Sequence, residues 1–147
     1  MFLEEQIQLI ESGLQLRPSQ WLPLREYLLK SGAIRAWFLL YQGANQWTKR
    51  FYDKQWFFLL EKELLSVGVY SEGNMELTSY KLDEFARVVR NYGYADKECT
   101  QMILTGASIL LKHSSLKNRP EVLDFKRPGE SDQGDPVGFE RLICLLI

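Results

Sequence analysis

Apolar residues recur at helical spacing near the start of the chain. The first stripe predicts a helix over residues 3–15 and consists of Leu3, Ile7, Ile10 and Leu14. A second stripe follows the turn signal of Pro18 and Ser19, and consists of Trp21, Leu24, Leu28 and Leu29. This second helix should stop near Gly32, because glycine commonly ends helices. The first quarter of the chain is therefore predicted to be a helical pair.

Longer apolar runs further along predict more helices. The run at 33–41 is almost wholly apolar and predicts a central helix, and the aromatic run at 47–67 predicts another. Two further helices are predicted over 78–92 and 95–116, whereas residues 69–77 are expected to be irregular, with a small hairpin as the alternative. The predicted fold class is all-α, a compact helical bundle of about five helices.

The C-terminal part has a different composition. Residues 118–138 combine several prolines and glycines with many charges, so they should not bury enough apolar surface to become ordered. The predicted organisation is a helical bundle domain at 1–118 and a flexible, disordered acidic tail at 119–147. The apolar ending at 139–147 could dock as a short helix or strand, or bind a partner.

Length and composition set the broad class. The chain has 147 residues, of which 46% are hydrophobic, so it can bury one ordinary core. Cys99 and Cys144 lie in apolar surroundings far apart in the sequence, and they are interpreted as core residues in a reduced compartment, by default the cytoplasm. The longest apolar stretches fall short of the roughly 20 residues that a membrane-spanning helix needs. No membrane association is therefore expected.

Charge is unevenly distributed although the net charge is −1. Residues 17–54 contain seven basic and two acidic side chains, and residues 81–119 contain seven basic and four acidic ones. Such segregation can present a local basic surface to a polyanion, or it can be chance clustering on a solvated surface.

Basic side chains are the main candidates for function. Phosphate contacts need only an array of positive charges, so the expected activity is non-specific binding to a nucleic-acid backbone. Trp47 and Tyr52 could add stacking on bases, although core packing is the commoner role of such residues. The candidate nucleic-acid-binding residues are Arg25, Lys30, Arg35, Lys49, Arg50, Lys54, Arg87, Arg90, Lys112 and Arg119.

Catalytic patterns are absent from the sequence. His113 is the only histidine and has no cysteine at ligand spacing, so no metal site is predicted. The chain has no glycine-rich phosphate loop, and its serines lack a nucleophile elbow. We therefore expect no enzyme activity, no cofactor and no catalytic residue.

Two stretches resemble the small subunits of CRISPR effector complexes. They are LPLREYLLKSGAIRAWFLL at residues 22–40, with its proline-led helix, glycine break and apolar helix, and ILTGASILLKHSSLKNR at residues 103–119, similar to a lysine-bearing last helix. The resemblance implies a non-catalytic subunit of a Cascade-like complex of type I or III, possibly equivalent to the C-terminal helical domain of the large subunit. The implied partners are other CRISPR effector subunits, copies of itself, and guide RNA with target DNA or RNA. The basic residues would contact the guide–target duplex or the displaced strand.

The competing hypothesis is a helical protein–protein interaction adaptor. In that case the helices present an apolar groove, the segment at 139–147 docks onto a partner, and nucleic acid is not bound.

Overall fold

The computed structural model describes residues 3–41, 50–112, 122–128 and 135–146. Within these ranges the chain forms three α-helices, seven β-strands and one 3-10 turn. In chain order they are α1 (Leu3–Leu14), α2 (Pro18–Lys30), β1 (Ile34–Tyr41), β2 (Lys54–Leu60), β3 (Glu63–Val69), β4 (Met75–Lys81), the turn η1 (Leu82–Glu84), β5 (Phe85–Tyr94), β6 (Met102–Leu111), β7 (Val122–Lys126) and α3 (Pro136–Leu145).

The strands form two antiparallel sheets. The first sheet has the order β1-β2-β3-β4 and the second has the order β5-β6-β7. Helices α1 and α2 pack on one face of the first sheet, and the second sheet and α3 pack on its other face. The four-stranded sheet is therefore the central layer of the molecule, with apolar residues packed on both of its faces.

Strand β2 shows how the two-sided burial arises. Trp56 and Phe58 point towards the helices, whereas Phe57 and Leu59 point towards the second sheet and α3. Successive side chains of a strand face opposite sides, so a strand between two apolar layers is apolar at nearly every position. All six residues of β2 after Lys54 are buried.

The predicted all-α helical bundle is wrong, and β2 gives the physical reason. A continuous apolar run fits a buried strand as well as a buried helix, and periodicity alone does not separate the two. The run at 33–41 forms β1, and residues 54–69 form the β2–β3 hairpin instead of a single helix. The predicted helices at 78–92 and 95–116 are also wrong where the chain is described, because these segments supply the end of β4, η1, β5 and β6.

Other predictions agree with the structure. The two N-terminal helices are confirmed, and Ile7, Ile10 and Leu14 of the first predicted stripe are buried against the first sheet. For residues 69–77 the first prediction, an irregular segment, is wrong, and its alternative, a small hairpin, is confirmed. The Tyr70 amide donates to the Asn74 carbonyl oxygen at 2.8 Å, which closes the turn between β3 and β4.

The predicted disorder of the tail is wrong for its described residues. β7 pairs with β6, and α3 packs Phe139, Leu142 and Ile143 into the core between the sheets. The apolar ending therefore docks on its own chain as a helix. The predicted domain boundary between residues 118 and 119 lies outside the described residues.

The structure also tests the predictions about the cysteines and about a membrane-spanning helix. Cys99 and Cys144 are both exposed, so their predicted place in the core is wrong. No helix in the described part of the chain is long and apolar enough to cross a membrane.

Candidate binding groove

A groove of about 400 Å³ lies between α1, β1 and α3. Each element contributes an apolar side chain and a polar one to its lining. The residues that matter for the argument are Gln6 and Leu9 from α1, Arg35 and Trp37 from β1, and Val137 and Arg141 from α3. The volume is in the range of about 300–1,000 Å³ that is typical of ligand pockets. The cleft beside Lys30 has a similar volume of about 410 Å³ but a lining without apolar side chains, so the groove is the better candidate because it combines apolar and charged side chains.

The position of Arg35 results from a β-bulge. Ile34 pairs with Leu60 and Ala36 pairs with the adjacent Leu59, so the register shifts between them and Arg35 is the extra residue. Ile34 then faces the helices and Ala36 faces the second sheet, and both are buried. Bulges commonly redirect a side chain at the edge of a sheet. Here the bulge leaves an exposed arginine on the edge strand, at the groove.

The N-terminal end of α3 lies directly against β1. The Asp135 amide donates to the Leu39 carbonyl oxygen at 3.2 Å, and the Asp135 carboxylate accepts a 2.8 Å hydrogen bond from the Gly138 amide as the helix cap. A Cβ atom at Gly138 would stand 2.5 Å from the Trp37 carbonyl oxygen. Glycine at this position therefore permits the close approach that forms one wall of the groove.

Helix α1 forms the opposite wall. The Gln6 side-chain amide donates to the Ile34 carbonyl oxygen at 3.1 Å, directly before the bulge. Together with the bond from Asp135 to Leu39, this contact occupies polar backbone groups near both ends of β1. The segment between them, with Arg35 and Trp37, lines the groove.

The groove combines positive charge with exposed apolar surface. Arg35 and Arg141 are exposed, and no ion pair involving either is found within the described ranges. Leu9 and Val137 are 57% and 65% exposed, so both present apolar surface to solvent at the groove. This arrangement suits a ligand with an anionic group beside apolar groups.

The predicted basic residues are spread over different parts of the fold. Of these, Arg35 lines the groove, and Lys30 lines a separate polar cleft beside Lys62 and Lys81. Arg25 is exposed on α2, Lys54 is half-buried at the start of β2, and Arg87 and Lys112 are exposed on the second sheet and just after β6. Lys49 and Arg119 lie outside the described residues.

Two of the predicted residues have structural contacts. The guanidinium of Arg90 donates to the carbonyl oxygens of Ile143, at 3.0 Å, and of Leu146, so it binds the C-terminal end of α3. Positive charge is favourable at that end of a helix. Arg50 forms an ion pair with Glu72 and lies 3.8 Å above the centre of the Tyr70 ring.

Of the two aromatic residues predicted as possible base-stacking residues, Tyr52 and Trp47, the structure describes only Tyr52. Tyr52 is buried and packs on Tyr70 with ring centres 4.9 Å apart, so it has the core role that was its alternative. A Cβ atom at Gly68 would stand 2.2 Å from the Tyr52 ring, so the absence of a side chain there makes room for it. Trp47 lies outside the described residues.

Sequence reasoning missed Leu9, Val137 and Arg141. Leu9 is an apolar residue of α1 outside the buried stripe, and this position is the sequence signal that could have identified it as exposed. Val137 and Arg141 belong to the segment that was interpreted as a tail, so their position on a helix beside β1 could not be inferred.

Titratable groups with shifted pKa values lie away from the groove. Burial raises the pKa of Tyr27, and its hydrogen bond to Glu63 adds to the effect. The hydrogen bond from the Thr100 hydroxyl lowers the pKa of Asp96 in the turn between β5 and β6. Each shift is explained by contacts that hold the fold together.

Metal-ligating side chains do not cluster among the described residues. They contain no group of three or more histidine, cysteine, aspartate or glutamate side chains that could hold a metal ion. His113 lies outside them. The expected absence of enzyme activity stays a prediction.

Comparison of the chain with protein-family models, curated proteins and solved structures finds no match. The segments that suggested a CRISPR subunit also have a different structure from the one implied. Residues 22–40 are the end of α2 followed by a strand, and the described residues of 103–119 belong mainly to β6. The assignment as a helical CRISPR subunit that binds RNA or DNA has no support, and it is withdrawn.

Proposed function

We propose that the chain is a non-enzymatic interaction adaptor that binds an acidic segment of a partner protein in the groove between α1, β1 and α3. The main support for this proposal is that two exposed arginines, Arg35 and Arg141, line the same groove. Neither forms an ion pair within the described residues. The partner segment carries an aspartate or glutamate with apolar side chains beside it.

Arginine suits this role because its planar guanidinium donates paired hydrogen bonds to a carboxylate. Asp135 is the acidic residue in the lining, and its carboxylate already accepts the capping bond from Gly138. The lining is net positive because its two arginines outnumber this one carboxylate. Both arginines are exposed, so water partly screens their attraction for a carboxylate, and the apolar contacts beside it must supply much of the binding energy.

The apolar part of the lining supplies contact area. Leu9 and Val137 project into solvent, and the half-buried Trp37 gives the groove an aromatic surface. Aromatic residues and arginine are enriched among the interface residues that dominate binding energy. The same combination occurs here in one groove.

The edge of β1 does not favour addition of a full partner strand. Gln6 binds the Ile34 carbonyl oxygen and Asp135 binds the Leu39 carbonyl oxygen, so backbone acceptors near both ends are already used. Recognition through side chains is therefore preferred over extension of the sheet.

Selection from a displayed library of random short peptides tests this proposal. The wild-type chain should enrich peptides that carry aspartate or glutamate next to leucine, isoleucine, valine or phenylalanine. The double variant Arg35→Gln/Arg141→Gln should lose these peptides, because it removes both charges at nearly constant size. The matched control Arg25→Gln/Arg87→Gln removes two exposed arginines outside the groove and should retain them.

Two results would overturn the proposal. One is that the wild-type chain enriches no motif of acidic and apolar residues, although its cooperative unfolding shows that it is folded. The other is enrichment of peptides that bind the groove variant and the control equally well.

A further inference from the structure

A second, smaller crevice lies at the end of the layers near the groove. It has a volume of about 170 Å³ and is lined by Leu59, Leu82, Phe85, Leu145 and Leu146, with Arg35 as the polar member. These residues come from the ends of β2 and α3, from η1 and from the start of β5. The crevice therefore opens where the two sheets and α3 meet.

Arg35 connects the crevice to the groove. Arg35 is a lining residue of both spaces, so a ligand whose carboxylate binds it has apolar surface on either side of that bond. The bulge that exposes Arg35 also turns Ala36 towards Leu59 and the interior, next to the crevice. One local irregularity of β1 thus positions the residue that the two spaces share.

The size and lining of the crevice indicate what it would accept. An apolar cavity of about 150 Å³ lined by leucine and phenylalanine holds a molecule of the size of benzene. A crevice of about 170 Å³ is therefore large enough for one phenylalanine or leucine side chain, and it is too small for a longer segment. Five of its six lining residues are apolar and the sixth is Arg35, so a basic side chain would lose hydration there and meet only a like charge.

We propose that this crevice is a second subsite for the same partner, and that it takes one large apolar side chain from a residue near the acidic residue held by Arg35. This inference rests on the proposed function of the groove. It narrows the partner to a segment in which an aspartate or glutamate stands close to a phenylalanine or leucine. Transfer of that side chain from water should strengthen binding by about tenfold or more.

Peptides of matched composition test the inference. Each peptide of the set contains one glutamate and one phenylalanine, and the number of residues between the two differs from peptide to peptide. The reference peptide has alanine in place of phenylalanine. The peptide in which the two residues have the fitting separation should bind wild type about tenfold more tightly than the reference peptide does. Two substitutions of the half-buried Leu82 should change the crevice volume in opposite directions. Leu82→Trp should fill the crevice, and Leu82→Ala should widen it.

The two variants have opposite expected results. Leu82→Trp should abolish the advantage of phenylalanine while the affinity for the reference peptide stays unchanged. Leu82→Ala should shift the preference from phenylalanine to the larger tryptophan at the same separation. If Leu82→Trp does not fold, the result for Leu82→Ala decides the matter alone.

The failure of this inference is distinct from failure of the proposed function. Equal binding of phenylalanine and alanine peptides, with both still lost in Arg35→Gln, would overturn the crevice subsite and leave the groove in place. Peptide binding that survives Arg35→Gln/Arg141→Gln would overturn the groove and the crevice together.

Discussion

The side-chain amide of Gln6 donates a 3.1 Å hydrogen bond to the carbonyl oxygen of Ile34. Ile34 is the last residue before the bulge that exposes Arg35, and it is buried in the same apolar cluster as Ile10 of α1. The contact fixes α1 to the edge strand at the point where the groove begins. The bond adds to the burial of Ile7, Ile10 and Leu14, which also hold α1 on the sheet.

Replacement of Gln6 by alanine should destabilise the protein, because the Ile34 carbonyl oxygen loses its partner. The expected decrease in the free energy of unfolding is about 1 kcal/mol, measured by urea denaturation. Gln8→Ala is the matched control, since Gln8 is exposed on the same helix, and it should change stability by less than about 0.5 kcal/mol. Equal effects of the two variants would show that the bond to Ile34 does not stabilise the fold.

Replacement of Arg90 by methionine should destabilise the attachment of α3. Arg90 donates to the carbonyl oxygens of Ile143 and Leu146, and methionine keeps much of the length without the charge. The expected loss is about 1–3 kcal/mol in the free energy of unfolding. Arg87→Met, on the same strand but exposed, should be nearly neutral. A neutral effect of Arg90→Met would contradict the structural role given to Arg90.

Replacement of Gly68 by alanine should force the Tyr52 ring out of its place, because the new Cβ atom would stand 2.2 Å from it. The expected cost is about 1–3 kcal/mol, as for other overpacked cores. A double-mutant cycle with Tyr52→Ala measures the coupling, since the alanine at 68 should cost much less once the ring is absent. Additive effects would mean that the two residues do not constrain each other.

Stability should fall at alkaline pH through Tyr27. Burial and Glu63 raise its pKa in the folded state above the ordinary value of 10.0, so the unfolded chain loses this proton first. The contribution of Tyr27 is fully present below pH 10.0 and decreases as the pH rises above that value.

Urea denaturation at several pH values, on wild type and on Tyr27→Phe, measures this contribution. Wild type should lose stability more steeply than the variant above pH 10.0, because phenylalanine has no proton to lose. Tyr70, whose pKa is also raised by burial, is present in both proteins and cancels in the comparison. Parallel pH profiles would contradict the assignment to Tyr27.

The sequence predicts the two N-terminal helices correctly. Helices α1 and α2 have solvent on their outer faces, so Ile7, Ile10 and Leu14 appear as a stripe at helical spacing. The central strands lack such a contrast. In β2 and β3 both faces are covered, and the resulting apolar runs have the same pattern as buried helices.

Part of the groove was also accessible from the sequence. Arg35 was identified by its charge within a basic stretch, although the bulge that exposes it depends on the pairing of Ile34 and Ala36 with β2. Arg141 was not identified, because pairing of β7 with β6 and burial of Phe139 order a segment whose composition suggested disorder. Such ordering depends on contacts between residues far apart in the sequence.

The most direct test of the groove is a titration followed by two-dimensional NMR of the backbone amides. The probes are the peptides acetyl-Leu-Glu-Leu-amide and acetyl-Leu-Gln-Leu-amide, which differ only in the charge of the central residue. A spectrum of Arg35→Gln/Arg141→Gln that matches wild type away from the substitutions establishes that the variant is folded. The glutamate peptide should shift the amides of Arg35, Trp37 and Val137 in wild type, more than the glutamine peptide does, and should leave the variant unchanged. Equal shifts from the two peptides, shifts confined to other surfaces, or no shifts at all would contradict the assignment of this groove as an acidic-segment binding site.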